Sequence, residues 1–124
     1  MHLAPTDEQQ AVQQEARRFL AAELSRERRL VWDQLPAGHD PEFWQAVGRV
    51  GWFGYGLPET FGGQGASLTD LGLLVEECGR AVAPFGVFAS LAGGLALNAL
   101  GSPAQKRTWL PAIARGEALV ALGV

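Results

Sequence analysis

Apolar side chains recur every three or four residues along most of the chain, the spacing that places them on one side of an α-helix. Val12, Ala16, Leu20 and Leu24 form the first such row, and we expect this first helix to run as far as LPAGHDP, residues 35–41, which breaks it. Several stretches begin with a residue whose side-chain oxygen can cap the free amides of a first helical turn. These residues are Thr6, Asp40, Ser67 and Ser102. The pattern predicts an all-α fold, an orthogonal or up-down bundle of five to six helices.

The stretch from Phe85 to Leu100 is apolar on nearly every side and contains no charged residue. A helix of this kind lies in the middle of a bundle or beneath another domain rather than on a surface. In the helix that follows, Trp109, Leu110 and Ile113 are expected to face inward. The pattern therefore predicts that Phe85–Leu100 is a buried helix.

Residues 51–66 read GWFGYGLPETFGGQGA, a glycine-rich stretch that also holds several aromatic residues. Dense glycine indicates tight turns or close backbone approaches, and the aromatic side chains indicate a loop packed onto the core. A phosphate-binding loop would need a Lys-Ser or Lys-Thr pair and a preceding strand, which this stretch lacks. We therefore expect a packed structural loop.

The chain ends in ALVALGV, a continuous apolar run typical of a strand buried on both faces. No partner strand is predicted elsewhere in the sequence. We expect residues 1–117 to form a helical domain and residues 118–124 to begin the first strand of a β-domain that this chain lacks. Because an unpaired apolar strand is an aggregation hazard, we expect it to be disordered or to pair with a second copy.

Composition limits the class of protein. With 124 residues, 48% of them apolar and 19% charged, the chain is typical of one globular domain. A net charge of −3 without a basic cluster argues against nucleic acid or an anionic membrane surface as partner. The uncharged run around Phe85–Leu100 is too interrupted for a membrane span. The single cysteine favours a reducing compartment, and we expect a cytoplasmic protein.

Few residues in the chain carry chemistry. His2 and His39 are the only histidines, which argues against a metal centre. Cys78 lies on the apolar side of its predicted helix and is expected to be a small core residue. The adjacent pair Glu76–Glu77 points in directions about 100° apart, so a solvated face or an ion pair with Arg80 is favoured over acid–base work. The residues predict neither a catalytic group nor a metal site in this chain.

Three motifs in register give the chain a family resemblance. They are TDEQQAVQQEARRFL near the start, GWFGYGLPETFGGQGASLTDLGLLVEECGR in the middle and GSPAQKRTWLPAIARGEALVALGV at the end. Together they resemble the N-terminal domain of the acyl-CoA dehydrogenases over nearly the full chain. In that family a helical domain precedes a β-domain, and a four-helix bundle follows. The resemblance implies that residues 118–124 are the first strand of that β-domain.

The resemblance also implies an activity for the intact enzyme, the α,β-dehydrogenation of an acyl-CoA with FAD as hydride acceptor. An electron-transfer flavoprotein is the implied oxidant of the reduced flavin, and the intact enzyme is expected to be a homo-oligomer. The family's catalytic glutamate corresponds to a position far beyond residue 124. We therefore expect this chain alone to be inactive and not to retain FAD.

The resemblance carries over two groups of site residues. The family's first β-strand runs beside the flavin and the thioester, which assigns cofactor contacts to Leu122, Gly123 and Val124. The uncharged helix corresponds to the one that lines the acyl pocket, which assigns substrate contacts to its spaced residues Phe85, Phe88, Ala89 and Ala92. The alternative for these four is ordinary bundle core.

Other functional readings stay open. The chain could be a short helical binding subunit that docks on a separate flavin-binding chain by strand addition. It could also belong to a member of the family with oxidase or monooxygenase chemistry. A stand-alone helical bundle without a flavin is disfavoured by the three motifs in register.

Overall fold

The computed structural model describes residues 3–36 and 40–123, and in this part of the chain all regular secondary structure is helical. Two short 3-10 turns, Trp52–Gly54 and Glu59–Phe61, lie between the third and fourth helices. The six α-helices are α1 (Asp7–Glu23), α2 (Arg26–Trp32), α3 (Pro41–Arg49), α4 (Leu68–Arg80), α5 (Phe85–Leu100) and α6 (Pro103–Ala114). The predicted all-α fold of five to six helices is confirmed.

The predicted helix starts are also confirmed. Thr6, Ser67 and Ser102 each accept a hydrogen bond from the amide three residues on, whose own side chain pairs with the cap amide. Asp40 caps α3 through the amide of Glu42, with proline in the first turn. These bonds form within a single turn, so the sequence alone is enough to find them.

Helix α2 was not predicted, because the first helix was expected to run to the turn near residue 35. The chain instead leaves helical geometry at Leu24, and the Ser25 side chain caps a second helix by accepting from the amide of Arg28. Trp32 at the end of α2 is buried against Phe43, with ring centroids 5.3 Å apart. The Ser25 cap thus begins a second helix, and Trp32 packs the end of that helix against Phe43 of α3.

Helices α1 and α4 are joined by polar contacts near both ends. At one end, the Gln9 amide donates to the carboxylate of Asp70 over 2.8 Å. At the other, the Arg17 guanidinium donates to both oxygens of Glu77, over 2.7 and 3.0 Å. Glu77 is only 1% exposed, so the expectation of a solvated face is wrong for this residue. The expected ion pair with Arg80 is made by Glu76 at 3.4 Å and also by Glu77 at 3.8 Å.

Two apolar clusters fill the interior, and α5 touches both. The larger one joins α1, α3, α4 and α5 around Leu20, Phe43, Phe53, Leu74 and Val87, and the smaller one lies between the loop and α6. The members of the smaller cluster are Leu57, Leu110, Ile113 and Ala114. None of the helices within residues 3–36 and 40–123 combines the length and apolarity needed to cross a bilayer.

The glycine-rich loop is packed, as predicted, and its backbone is paired with itself. The amides of Gln64, Gly65 and Ala66 donate to the carbonyls of Gly54, Leu57 and Tyr55, each over 2.9 Å. A Cβ at Gly63 would lie 2.1 Å from the Leu57 carbonyl oxygen, so only glycine fits there. Because these amides are used within the loop, they are not available to hold a phosphate.

The C-terminal segment is not a strand in the structure. Residues 118–123 have no regular secondary structure, which differs from the sequence prediction. A strand is defined by pairing with another strand, and residues 3–36 and 40–123 contain no strand to pair with. That residues 118–124 begin a β-domain stays a prediction, and Val124 lies outside the described residues.

Val82 adopts a backbone conformation that favours glycine, with φ of 55°. It follows α4, where the amide of Ala83 bonds back to the carbonyl of Cys78 in a helix-ending turn. A β-branched residue in this region costs about 1–2 kcal/mol. The Val82 side chain is 72% exposed, so little packing offsets that cost.

Replacing the buried carboxylate should destabilise the fold. We expect Glu77→Gln to lower the free energy of unfolding by about 1.5–3 kcal/mol at neutral pH, because a buried, charge-assisted pair is broken. Hydrogen bonds from Arg17 lower the pKa of Glu77, so this stabilisation exists above pH 4.5, the ordinary pKa of glutamate, and disappears as the pH falls further. Chemical denaturation at several pH values should show the two proteins converging in acid. Glu76→Gln, at an exposed site, is the control and should change stability little.

Relief of the strain at Val82 should stabilise the fold. We expect Val82→Gly to raise the free energy of unfolding by about 0.5–1 kcal/mol, the strain removed less the backbone entropy of glycine. The matched control is Val50→Gly at the end of α3, where φ is −79° and glycine brings only the entropic loss. Urea titrations should therefore move the two midpoints in opposite directions. A fall in both would contradict the assignment of strain.

Candidate functional site

Helix α5 buries one side and leaves the other open. Val87, Ser90, Leu91 and Gly94 face the interior and are at most slightly exposed. On the opposite side Phe85 is 80% exposed and Ala92 is exposed, whereas Phe88 and Ala89 are partly buried. Phe85, Phe88, Ala89 and Ala92 thus form one surface, called here the open face of α5. Phe85 and Ala92 are therefore not bundle core, whereas Phe88 packs against the larger apolar cluster, so that alternative stays open for Phe88 and Ala89.

The open face contains no polar or charged side chain, and the Phe85 and Phe88 rings lie 6.3 Å apart between centroids. The uncharged helix was predicted to lie in the middle of a bundle or beneath another domain. Among the described residues, only one side of α5 is buried in this way. Isolated apolar residues are common on surfaces, but a continuous apolar row on one helix marks a binding or packing surface. Such a face has the chemistry to contact an acyl chain or another apolar domain.

A groove of about 560 Å³ runs between the second half of α5, α6 and the C-terminal segment. Ala96 and Leu97 form one wall, and Leu119 and Leu122 form another. Trp109 lines the groove and is 50% exposed, so the expectation that it faces inward is wrong, whereas Leu110 and Ile113 are buried as predicted. Trp109 is on the side of α6 that faces the groove, outside the smaller core cluster.

The C-terminal segment reaches this groove through two fixed points. Gly116, with φ of 74°, ends α6, and its carbonyl accepts a hydrogen bond from the Trp44 indole over 3.0 Å. Four residues later, the backbone of Val120 is held by Ser90, a residue of α5 that is fully buried. The segment is thus packed against α5 as far as Val120, and its disorder or its pairing with a second copy stays a prediction.

The three residues assigned to the cofactor, Leu122, Gly123 and Val124, follow Val120 in the sequence. Leu122 is 55% exposed and lines the groove, Gly123 is exposed, and Val124 lies outside the described residues. Among the described residues, the backbone of 121–123 has no hydrogen-bond partner. These peptide groups are therefore open to pair with a strand or with a polar ligand.

The residues assigned to the substrate belong to α5, whereas Leu122 lies against a different part of the same helix, so the two groups do not meet among the described residues. The groove beside Leu122 is lined by Gly93 and Ala96 of α5, whereas Phe85 and Phe88 lie outside it. Since a helix rises 1.5 Å per residue, Phe85 and Ala96 are about 16 Å apart along α5. The structure therefore joins the Leu122 end of the site to the second half of α5 and leaves the phenylalanines at the far end.

The titratable groups do not resemble those of a catalytic centre. Asp70, Glu77 and Glu117 have pKa values lowered by hydrogen bonds from Gln9, Arg17 and Arg115, which keep them ionised and weakly basic. Burial raises the pKa of the Cys78 thiol to about 12, as expected for a small core residue rather than a nucleophile.

Metal ligands are not grouped in the part of the chain that the structure describes. No three His, Cys, Asp or Glu side chains converge there. His2 and His39 lie outside the described residues.

Sequence reasoning missed the residues that build the groove. Ser90 and Gly93 hold the C-terminal segment, and Trp109 forms the groove wall. One signal was present, since Ser90 is the only hydroxyl in an otherwise almost wholly apolar helix. A lone buried hydroxyl implies a nearby partner, but the sequence does not tell which residue it is.

Comparison with known proteins gives a family match over most of the chain. The profile described as "Acyl-CoA dehydrogenase, N-terminal domain" matches residues 6–117. The acyl-CoA dehydrogenase FadE29 of Mycobacterium tuberculosis (strain ATCC 25618 / H37Rv) is 33% identical over 126 aligned positions, which cover 99% of this chain and 32% of FadE29.

Two solved structures share the fold. A variant of the steroid ACAD Tcur3481-Tcur3483 gives a TM-score of 0.81 at 31% identity, over 89% of this chain and 30% of that one. The ChsE4-ChsE5 complex from Mycobacterium tuberculosis gives a TM-score of 0.79 at 31% identity, over 94% of this chain and 30% of that one. The chain thus spans about a third of the length of these relatives.

Proposed function

Because this chain belongs to the acyl-CoA dehydrogenase family, of which it forms the N-terminal domain, we propose that it serves the α,β-dehydrogenation of an acyl-CoA thioester. Its contribution is one wall of the acyl pocket, from the open face of α5, together with the flavin-side backbone of the C-terminal segment. The observation that carries the proposal is the continuous apolar surface of α5, which the described residues leave largely uncovered. Towards the other end of the same helix, the last described peptide groups of the C-terminal segment are unpaired.

The open face suits an acyl chain by its chemistry. It is wholly apolar, and Phe85 and Phe88 supply bulk at one end while Ala89 and Ala92 leave room further along. Contact with such a surface binds an alkyl or ring system without directional bonds, and it excludes water from the neighbourhood of the reacting carbons. These residues are assigned a binding role and no proton transfer.

The C-terminal segment fits a role beside the cofactor. FAD, when bound, accepts the hydride from the β-carbon of the thioester. The fit rests on the peptide groups of residues 121–123, which make no hydrogen bond within the described part and can contact a polar ring edge. Leu122 adds an apolar side chain beside them, and Val124 is assigned to the same role from the family resemblance alone.

Partners follow from the family. We propose an electron-transfer flavoprotein as the oxidant of the reduced flavin and an oligomeric enzyme. The resemblance predicts a homo-oligomer. A hetero-oligomer is the alternative, since ChsE4-ChsE5 is described as a complex of two named chains. A cytoplasmic location stays a prediction from the single, buried cysteine.

The heteromeric arrangement favours a second candidate function. In a hetero-oligomer, this domain would belong to a subunit that docks on a separate flavin-binding chain. This is the helical binding subunit that the sequence leaves open. Native mass spectrometry of the protein purified from its source distinguishes the two, because a homo-oligomer contains one polypeptide mass and a heteromer contains two.

The proposed reaction is tested with the complete natural polypeptide and with residues 1–124 alone. We expect the complete protein to carry a flavin that an acyl-CoA thioester bleaches without oxygen, because the domains beyond this one supply the base. The isolated chain should not support that reduction, since proton abstraction needs a positioned carboxylate that the family places outside this domain. Thioester-dependent flavin reduction by the isolated chain would contradict the assignment of the catalytic base to a region outside this domain. Rapid reoxidation by oxygen would favour an oxidase.

The pocket wall is tested by filling it. We expect Ala92→Phe in the complete enzyme to lower kcat/KM for long or ring-bearing acyl thioesters by about tenfold or more relative to short ones, because a bulky ring occupies acyl space. Ala22→Phe, at an exposed position of α1, is the matched control and should leave the preference unchanged. If both variants keep the same ratio of kcat/KM values for long and short acyl thioesters, α5 does not line the acyl pocket.

A further inference from the structure

Ser90 is the only hydroxyl of α5, and it is fully buried. Its oxygen accepts a hydrogen bond from the Val120 amide over 3.3 Å and donates one to the Val120 carbonyl over 3.4 Å. Both peptide groups of one residue are thus held by one side chain, much as a neighbouring strand would hold them. No other residue between 118 and 123 has a side-chain hydrogen bond within the described part.

Gly93, one turn further along α5, creates the space that Val120 occupies. A Cβ at Gly93 would lie 2.8 Å from Val120 Cγ2 and 3.3 Å from Val120 Cβ. Contacts under 3.0 Å require displacement, so any larger residue at this position pushes the Val120 side chain away. Ser90 holds the backbone of Val120 by hydrogen bonds, and the missing side chain of Gly93 leaves space for the Val120 side chain. Both the backbone and the side chain of Val120 are therefore positioned by α5.

Val120 is the last residue of the described segment whose backbone is hydrogen-bonded, and Leu122 follows it by two residues and lines the same groove. Because Val120 is the nearest anchored residue, its displacement changes the point from which Leu122 and Gly123 continue. These are the residues that the proposed function assigns to the flavin and the thioester.

We propose that Ser90 is a positioning residue for the dehydrogenation, acting through Val120 with Gly93 as its steric counterpart. The proposal rests on the proposed function, because it gives Ser90 a role in the reaction only if residues 122 and 123 lie beside the flavin. Ser90 is fully buried beneath Val120, so the role assigned to it is positioning and not binding. It sets the register in which the C-terminal segment passes α5.

The two test variants leave the helix intact. Ser90→Ala and Gly93→Ala both place a better helix former in α5, so a loss of function cannot be traced to a weakened helix. The first removes both hydrogen bonds to Val120, and the second displaces the Val120 side chain. Ser67→Ala, which removes the cap of α4 far from the groove, is the control for general destabilisation.

The first measurement is hydrogen exchange of the complete protein, followed by mass spectrometry on peptides that cover residues 117–123. We expect exchange there to be about tenfold faster in Ser90→Ala and Gly93→Ala, because the local opening that the two bonds oppose becomes easier. Ser67→Ala should leave these peptides unchanged. Unchanged exchange in both test variants would overturn the proposal.

The second measurement separates binding from chemistry by steady-state kinetics with an acyl-CoA thioester. We expect kcat to fall by about 10- to 100-fold in both test variants, the usual cost of misplacing a reacting group, while KM changes little because the open face still binds the acyl chain. Faster exchange with an unchanged kcat would overturn the positioning role. If the unmodified enzyme shows no thioester-dependent flavin reduction, the proposed function fails and the positioning role with it, while the exchange data still report on the contact.

Discussion

An uncharged helix that is apolar on all sides has to be covered on all sides, and this constraint on α5 organises the domain. One side of α5 is covered by the larger core and by the smaller cluster below α6, through Val87, Leu91 and Gly94. The other side is only partly covered by the described residues, since Phe85 and Ala92 are exposed. The helix is therefore both the centre of this domain and part of a surface that a ligand or further domain would complete.

Two buried polar side chains interrupt the apolar interior, and each is fully paired. Glu77 accepts two hydrogen bonds from Arg17, and Ser90 forms two with Val120, so no buried side-chain polar atom of the described residues lacks a partner. Unpaired polar groups are costly in an interior, whereas paired ones specify which elements meet. Glu77 thereby joins α4 to α1, and Ser90 joins α5 to the C-terminal segment.

Much of the fold could be predicted because its signals are local. The caps at Thr6, Ser67 and Ser102 depend on residues three positions away, and the apolar rows depend on residues three or four away. The division of the first helix at Ser25 escaped prediction because the third residue after Ser25 is Arg28, which cannot complete a capping box, although Ser25 does accept from its amide. The inward expectation for Trp109 failed because the neighbouring segment leaves a groove where a core was assumed.

The sequence by itself determined the helical class, most helix starts, the packed glycine loop and, through three motifs in register, the family. The tertiary structure decided which residues face one another. That Glu77 is buried, that Phe85 is exposed and that Val120 rests on Ser90 are consequences of contacts between residues 30 to 60 positions apart. Hydrophobic patterning shows which side of a helix avoids water, but not whether another element arrives to cover it. For α5, only the packed domain shows that one side is closed and the other is open.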